Sequence, residues 1–185
     1  MVKQLTDKLF ISTELKTPAA VDFLQLTANL EVICNAITAL VGPQQYDSGL
    51  AAIQQIKAGI ELNHSHPNLQ EWISVWSGLA LIVNRLTLFH RDKGAAPSCF
   101  DLLIGGGTHT ECNLDIPDLG ATFSYLPGTA IALTGRVLRH GVRKWGGGER
   151  ICFAHYMKDL VHNRLKLQWP DWTCIQDYLK FTHRN

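Results

Sequence analysis

Apolar positions follow two different rhythms along this chain. In the first third they recur at helical spacing: within "TPAAVDFLQLTANLEVICNAITALVG" these are Val21, Leu24, Leu30, Ile33, Ile37 and Leu40. That spacing predicts one helix, opened by Thr17 as N-cap before Pro18 and stopped at Gly42-Pro43. "SGLAAIQQIKAG" predicts a second, shorter helix with Ser48 as cap and Gly59 as stop, and "NHSHPN" marks a break. "LQEWISVWSG" is open between helix and strand. Beyond it the rhythm shortens. "LALIVNRLTLFHRD" reads as one or two strands, and "SCFDLLIGG" as a short strand closed by three glycines. "ATFSYL", "TAIALT", "RVLRHGV" and "RICFAHYMK" follow as short strands, punctuated by Pro127-Gly128, Gly135 and Gly146–Gly148. The tail "DLVHNRLKLQWPDWTCIQDYLKF" returns to helix, broken at Pro170. Six or seven strands with tight glycine turns predict an α+β protein: a jelly-roll core flanked by N-terminal and C-terminal helices.

Composition narrows the class without naming a function. A chain of 185 residues, 46% hydrophobic and 18% charged, suits one domain with a sizeable core. The expected division is helical support over 1–70, a β core over 71–160 and a helical tail over 161–185. A net charge of +1 excludes a global field for polyanions, so nucleic-acid binding would need a local basic patch. Five scattered cysteines without a CxxC argue for reduced thiols rather than a disulfide framework. The N-terminus has no apolar core segment and "WSGLALIV" is too short to span a bilayer, so a soluble intracellular protein is expected.

The chemistry-bearing residues are widely spaced. Two histidines and one carboxylate are the donor set of a facial-triad site for non-haem Fe(II), which leaves one face of the octahedron open. In "HRD", His90 and Asp92 stand two apart, so on a strand both side chains reach the same face. Alone, such a pair is a common tripeptide. His140 in "RVLRHGV" shares a strand face with Leu138 and Val142, and Gly141 beside it allows close approach. A lone histidine there also fits a satisfied core residue. Arg150 opens the strand "RICFAHYM". It is either a solvated arginine after a glycine turn or a guanidinium fork gripping a carboxylate.

In order and spacing, HxD on an early strand, histidine on a late one and arginine at the start of the next resemble the double-stranded β-helix of Fe(II)/2-oxoglutarate oxygenases. More narrowly, "HRD", "LPGTAIALTGRVLRHGV" and "RICFAHYM" resemble the TET/JBP group, particularly its short fungal members. The resemblance runs from about Trp72 to Lys158, and "GRVLRHGV" is its most specific block. No cysteine cluster precedes the core, so the zinc-binding extension of the animal enzymes has no counterpart. AlkB-type enzymes carry a second arginine six residues after the first, where this chain has Tyr156.

The resemblance implies that His90, Asp92 and His140 hold Fe(II), while 2-oxoglutarate chelates the iron and pairs its far carboxylate with Arg150. Dioxygen is the third reactant. It also implies a substrate methyl on a nucleobase: 5-methylcytosine first, thymine in the JBP branch, with N6-methyladenine open. Reaching that methyl in methylated DNA, duplex or single-stranded, requires the base to be flipped into a pocket. Alternation from Arg150 puts Cys152, Ala154, Tyr156 and Lys158 on the site face, with Phe153, His155 and Met157 turned away. Tyr156 is the stacking candidate, and Cys152 and Arg85 are candidate co-substrate contacts. Asn84 and Lys158 are candidate base contacts; a strand end with solvated side chains is the plain alternative for Asn84 and Arg85. A nuclear monomer without membrane attachment is the expected setting.

Arg136, Arg139, Arg143 and Lys144 cluster around His140, with Arg164 and Lys166 further on, as a phosphate patch or a solvated face. The five tryptophans are expected in the core, with Trp145 the possible base wedge. "IGGGTH" lacks the phosphate-loop pattern. His64 and His66 read as loop residues, and His109 and Glu111 as part of a mobile hairpin bearing on substrate access. A protein or small-molecule substrate, or a non-catalytic jelly-roll module, remain the alternatives.

Overall fold

A computed structural model describes residues 8–176, which fall into two compact units. Gly78–Lys158 forms one, and the chain before and after it forms the other.

The second unit is helical: α1 (Pro18–Leu26), α2 (Ala28–Val41), α3 (Pro43–Lys57) and α4 (Asp159–Arg164). The single long helix expected from periodicity is two, bent by 60°. The break falls at Thr27, whose hydroxyl donates to the Phe23 carbonyl at 2.8 Å and whose backbone leaves helical geometry. Such back-bonding competes with the helical ladder. Thr17 stands at the N-cap position of α1 without capping it; its hydroxyl donates to the Glu14 carbonyl in the preceding turn. Pro43 starts α3 at its first position, so Ser48 lies inside the helix and donates to the Gln168 carbonyl. Gly59, at φ +80°, follows the end of α3 as expected of a C-terminal glycine. "LQEWISVWSG" is neither helix nor strand between the end of a 3-10 turn over Pro67–Glu71 and Gly78, where the first strand begins. That turn is capped by His66 Nδ1, which accepts from the Asn68 N–H. After α4 the tail loses helix before Pro170, and its last predicted turns lie outside the described residues. Trp172 is exposed, unlike the core position expected of it. Among the described residues no single helix is long and apolar enough to cross a membrane.

The first unit has nine strands: β1 (Gly78–Val83), β2 (Thr87–His90), β3 (Asp101–Gly107), β4 (Glu111–Ile116), β5 (Ala121–Ser124), β6 (Ala130–Leu133), β7 (His140–Val142), β8 (Trp145–Gly146) and β9 (Arg150–Tyr156). They form two antiparallel sheets, ordered β1-β9-β3-β6 and β2-β7-β4-β5, with β8 also on β4. This is the double-stranded β-helix arrangement of a jelly roll, in an α+β chain. Leu103, Leu133 and Cys152 from one sheet meet Cys112, Leu114 and Val142 from the other in one buried cluster, with Tyr125 among them.

Three local expectations are corrected. The glycines of "LLIGGG" are the last residues of β3 rather than a turn closing it. "ECNLDI", left unassigned by the pattern, is a strand, β4, burying Cys112, Leu114 and Ile116 in alternation, so Glu111 of the expected mobile hairpin opens a strand and His109 before it is buried. "RVLR" is a turn, in which the Val137 and Leu138 N–H groups both donate to the Thr134 carbonyl, and the strand begins only at His140. On β4, Asp115 faces Gly141 while Cys112 faces Trp145, three steps against four, so β7 and β8 are separated by a one-residue bulge.

Candidate functional site

His90 ends β2 and His140 begins β7, and the two are direct cross-strand partners. Their rings lie 4.5 Å apart between centroids. Asp92 follows just beyond β2, where its N–H donates to the Gly135 carbonyl at 2.9 Å. Its carboxylate lies between the rings: Oδ1 is 3.3 Å from His90 Nε2, and Oδ2 is 3.5 Å from His140 Nε2. One ligand atom from each of the three falls within 4.8 Å of the others. Around a divalent ion with bonds of about 2.1 Å, neighbouring octahedral donors stand roughly 3 Å apart, close to these spacings.

Both imidazoles are held alike. His90 Nδ1 donates to the Leu88 carbonyl at 2.9 Å and His140 Nδ1 to the Leu138 carbonyl at 3.0 Å, each two residues back. A carbonyl only accepts, so the proton sits on Nδ1 and the Nε2 lone pair faces the carboxylate, the tautomer a metal ligand requires. Burial pushes the His140 pKa down, which favours the neutral ring. Arg91, the middle residue of "HRD", points away. It donates to the Val137 carbonyl and to Asp118, whose carboxylate also accepts the Arg139 N–H, pinning the turn that leads into His140.

A carboxyl that the sequence reading did not single out stands behind the triad. Asp101, the first residue of β3, is 5% exposed. Burial first, and then the neighbouring Asp92 carboxylate, push its pKa up to about 8. A Cβ on Gly135 would collide with Oδ2 of both Asp92 and Asp101, so any larger residue where this turn passes the two carboxyls would have to displace them. The sequence carries no pattern for Asp101, because the contact joins β3 to the segment after β6.

Arg150 is 2% exposed at the start of β9. Its N–H donates to Asn84 Oδ1 at 2.8 Å, its carbonyl accepts the Asn84 N–H, and Nη1 donates to the Arg85 carbonyl at 3.0 Å. Asn84 adopts a left-handed backbone (φ 48°) to make both bonds, so its carboxamide is engaged with Arg150 rather than lining the cavity. Arg150 Nε is buried without a hydrogen-bond partner, and no carboxylate of the described residues pairs with the guanidinium. A buried guanidinium without an anion is costly. The orphaned nitrogen therefore fits a carboxylate brought by a small molecule. Around it lie Tyr125, with its ring 5.7 Å from the guanidinium carbon, and the thiols of Cys112 and Cys152. The Tyr125 hydroxyl donates to Cys152 Sγ at 3.2 Å. Burial raises the pKa of both thiols and of Tyr125, so all three are neutral groups around one cation. Cys112 and Tyr125 were not singled out from sequence; the alternation of "ECNLDI" was the available signal for Cys112.

A cavity of about 340 Å³ opens within this unit, bounded by His90, Asp92, Asp101, Arg85, Tyr156 and Lys158 among others. That volume lies in the range of small-molecule sites, about 300–1,000 Å³. His140, Arg150 and Cys152 are buried outside its walls. His155 and Met157, expected to face away, contribute to the lining alongside Ala154 and Tyr156. The Tyr156 ring lies across Gly78, its cross-strand partner, where a Cβ would strike it. Lys158 Nζ stands 5.7 Å from the ring centroid.

The basic residues near His140 are partly neutralised. Arg143 pairs with Asp115 and Arg91 with Asp118, while Arg139 and Arg143 both lie over the Phe89 ring. Arg164 pairs with Glu61, and with Lys166 belongs to the helical unit. Trp145 packs on the core cluster.

The sequence pattern of the Tet/JBP family, the oxygenase domain of the 2OGFeDO superfamily, matches residues 10–159. No curated protein matches the chain. Among solved structures, NgTET1 in complex with 5mC DNA is similar at 18% identity and a TM-score of 0.44, over 60% of this chain and 44% of that one. The chain thus spans less than half the length of that structure.

Proposed function

The chain belongs to the Tet/JBP family of oxygenase domains, a group of Fe(II)/2-oxoglutarate-dependent dioxygenases, and from that premise we propose that it oxidises a methyl group on a nucleobase in DNA, 5-methylcytosine before N6-methyladenine or thymine. When bound, iron and 2-oxoglutarate supply the oxidising chemistry: dioxygen is split between the co-substrate, which becomes succinate and CO2, and a substrate C–H bond.

In this reading the residues divide the work by position. His90, Asp92 and His140 hold the metal through two Nε2 lone pairs and a carboxylate. Arg150, buried with Cys152 close by, neutralises the far carboxylate of 2-oxoglutarate, and Arg85 fixes the guanidinium through its carbonyl. Tyr156 offers a ring face to an extruded base, and Lys158 and Arg85 offer cations at the same cavity. The observation that carries the reading is this cavity, which brings an aromatic ring and cations to the histidine and carboxylate of the triad. The pairing of Arg143 and Arg91 with aspartates lowers the free positive charge near His140. That observation favours a second reading, with a protein or small-molecule substrate.

The test is nucleoside mass spectrometry after incubation with Fe(II), 2-oxoglutarate, ascorbate and DNA containing both 5-methylcytosine and N6-methyladenine. Hydroxymethylated cytosine is expected, and its loss by His140→Ala with the fold retained. Protein that binds metal and 2-oxoglutarate yet leaves both bases intact overturns the nucleobase assignment. Weak dependence of DNA binding on salt would point the same way.

A further inference from the structure

We infer that His109 is a positioning residue for the co-substrate pocket: its imidazole ties the backbone under Tyr125 to the backbone that leads into Arg150. The inference rests on the reading that Arg150 receives the far carboxylate of 2-oxoglutarate.

His109 lies between β3 and β4 and is 2% exposed. Its Nε2 is 2.9 Å from the Tyr125 carbonyl, and its Nδ1 is 3.3 Å from the Glu149 carbonyl. The Glu149 carbonyl already accepts the N–H groups of Thr108, at 2.8 Å, and His109, at 3.1 Å. Tyr125 has no such supply. Its N–H donates to the Cys112 carbonyl, and His109 Nε2 is the donor at its own carbonyl. Nε2 therefore carries the decisive proton, at the shorter of the two contacts.

The connected groups all face one place. Tyr125 places its ring against the Arg150 guanidinium and its hydroxyl on Cys152 Sγ, and Glu149 directly precedes Arg150. The turns on either side pack backbone to backbone. Gly147 and Gly148 both have positive φ, and a Cβ on either would collide with Thr110 or Thr108. The imidazole between these turns is buried. Without the Nε2 bond the Tyr125 carbonyl is left buried and unpaired, and the segment carrying the ring shifts to find a partner. The pocket then loses the geometry of its tyrosine and thiol, while the triad on β2 and β7 is untouched.

The experiment compares His109→Gln, which presents an N–H near the position of Nε2, with His109→Asn, which reaches only as far as Nδ1. Each variant is measured for 2-oxoglutarate affinity by calorimetry with Zn(II) in place of iron, and for KM and kcat in the assay. His109→Asn is expected to weaken 2-oxoglutarate binding about tenfold, the scale of one lost hydrogen bond, with kcat at saturating co-substrate within about twofold of the parent. His109→Gln is expected to stay within about threefold in both. Equal affinities for the Asn and Gln variants would overturn the inference, as would loss of kcat with KM unchanged. Arg150→Ala, run in parallel, separates the premise: unchanged 2-oxoglutarate affinity in that variant means that the pocket itself is misassigned.

Discussion

The two ends of the site are built on opposite principles. The triad end is open: the side chains of His90 and Asp92 are 41% and 39% exposed, and both border the cavity. The arginine end is closed, with Arg150, Cys152, Tyr125 and His109 all buried. A metal centre that must admit dioxygen and a substrate needs free coordination positions, so its ligands sit at the ends of short strands. A group that recognises a carboxylate gains most where water is excluded, so Arg150 sits on the seven-residue β9, paired on both sides by β1 and β3. The difference teaches where tolerance lies. Substitutions of the cavity lining at the open end, such as Tyr156 and Lys158, should alter substrate choice, and those at the closed end should act on co-substrate affinity.

Arg150→Ala breaks the closed end most severely. Removing one partner of a buried charge-assisted pair costs on the order of 2–5 kcal/mol, so 2-oxoglutarate affinity should fall by at least about thirtyfold. Arg150→Lys should not restore it, because an ammonium cannot reproduce the fork. Calorimetry of both variants checks this, and recovery by lysine would show that charge alone suffices.

Gly135→Ala strikes the open end at a residue that is not a metal ligand but whose carbonyl holds the Asp92 N–H. The added methyl would displace the Asp92 and Asp101 carboxyls. Metal affinity should drop about 10–100-fold, the usual consequence of disturbing an outer-shell partner. Equilibrium dialysis with Co(II) or Mn(II) measures it, with 2-oxoglutarate pocket residues unaltered as the internal contrast. Undiminished metal binding would mean that Asp92 moves without loss.

The smallest effect concerns pH and the metal-free protein. Asp101, pushed up to about 8, keeps in the folded state a proton that the unfolded chain releases near its ordinary value of 3.8. The stabilisation tied to that proton is complete below the unfolded value and is lost as pH rises through about 8. Asp101→Asn should flatten that fall, seen as a smaller change in melting temperature between about pH 5 and 8. Parallel profiles for the two proteins would show that Asp101 ionises normally.

How much of this was legible beforehand depended on the range of the interaction. "HRD", the histidine of "RVLRHGV" and the arginine of "RICFAHYM" are each marked by local type and spacing, and the structure brings the first three side chains to one point. The β9 alternation was legible at Cys152 and Tyr156, because period two is a property of any strand. The bend at Thr27 and the turn in "RVLR" escaped because local hydrogen bonds there outweighed an apolar rhythm that suited helix or strand.

By itself the sequence determined the donor types, their order and the strand that carries the arginine, since these follow from residue identity and short-range periodicity. Only the tertiary structure decided that Asp101 stands behind Asp92, that Asn84 serves the Arg150 backbone, and that His109 is buried between two carbonyls. Those contacts join segments 9 to 66 residues apart in the chain, and no periodicity spans such gaps. They form because closing two sheets over one core brings distant segments together and buries polar groups that must then find partners across the fold.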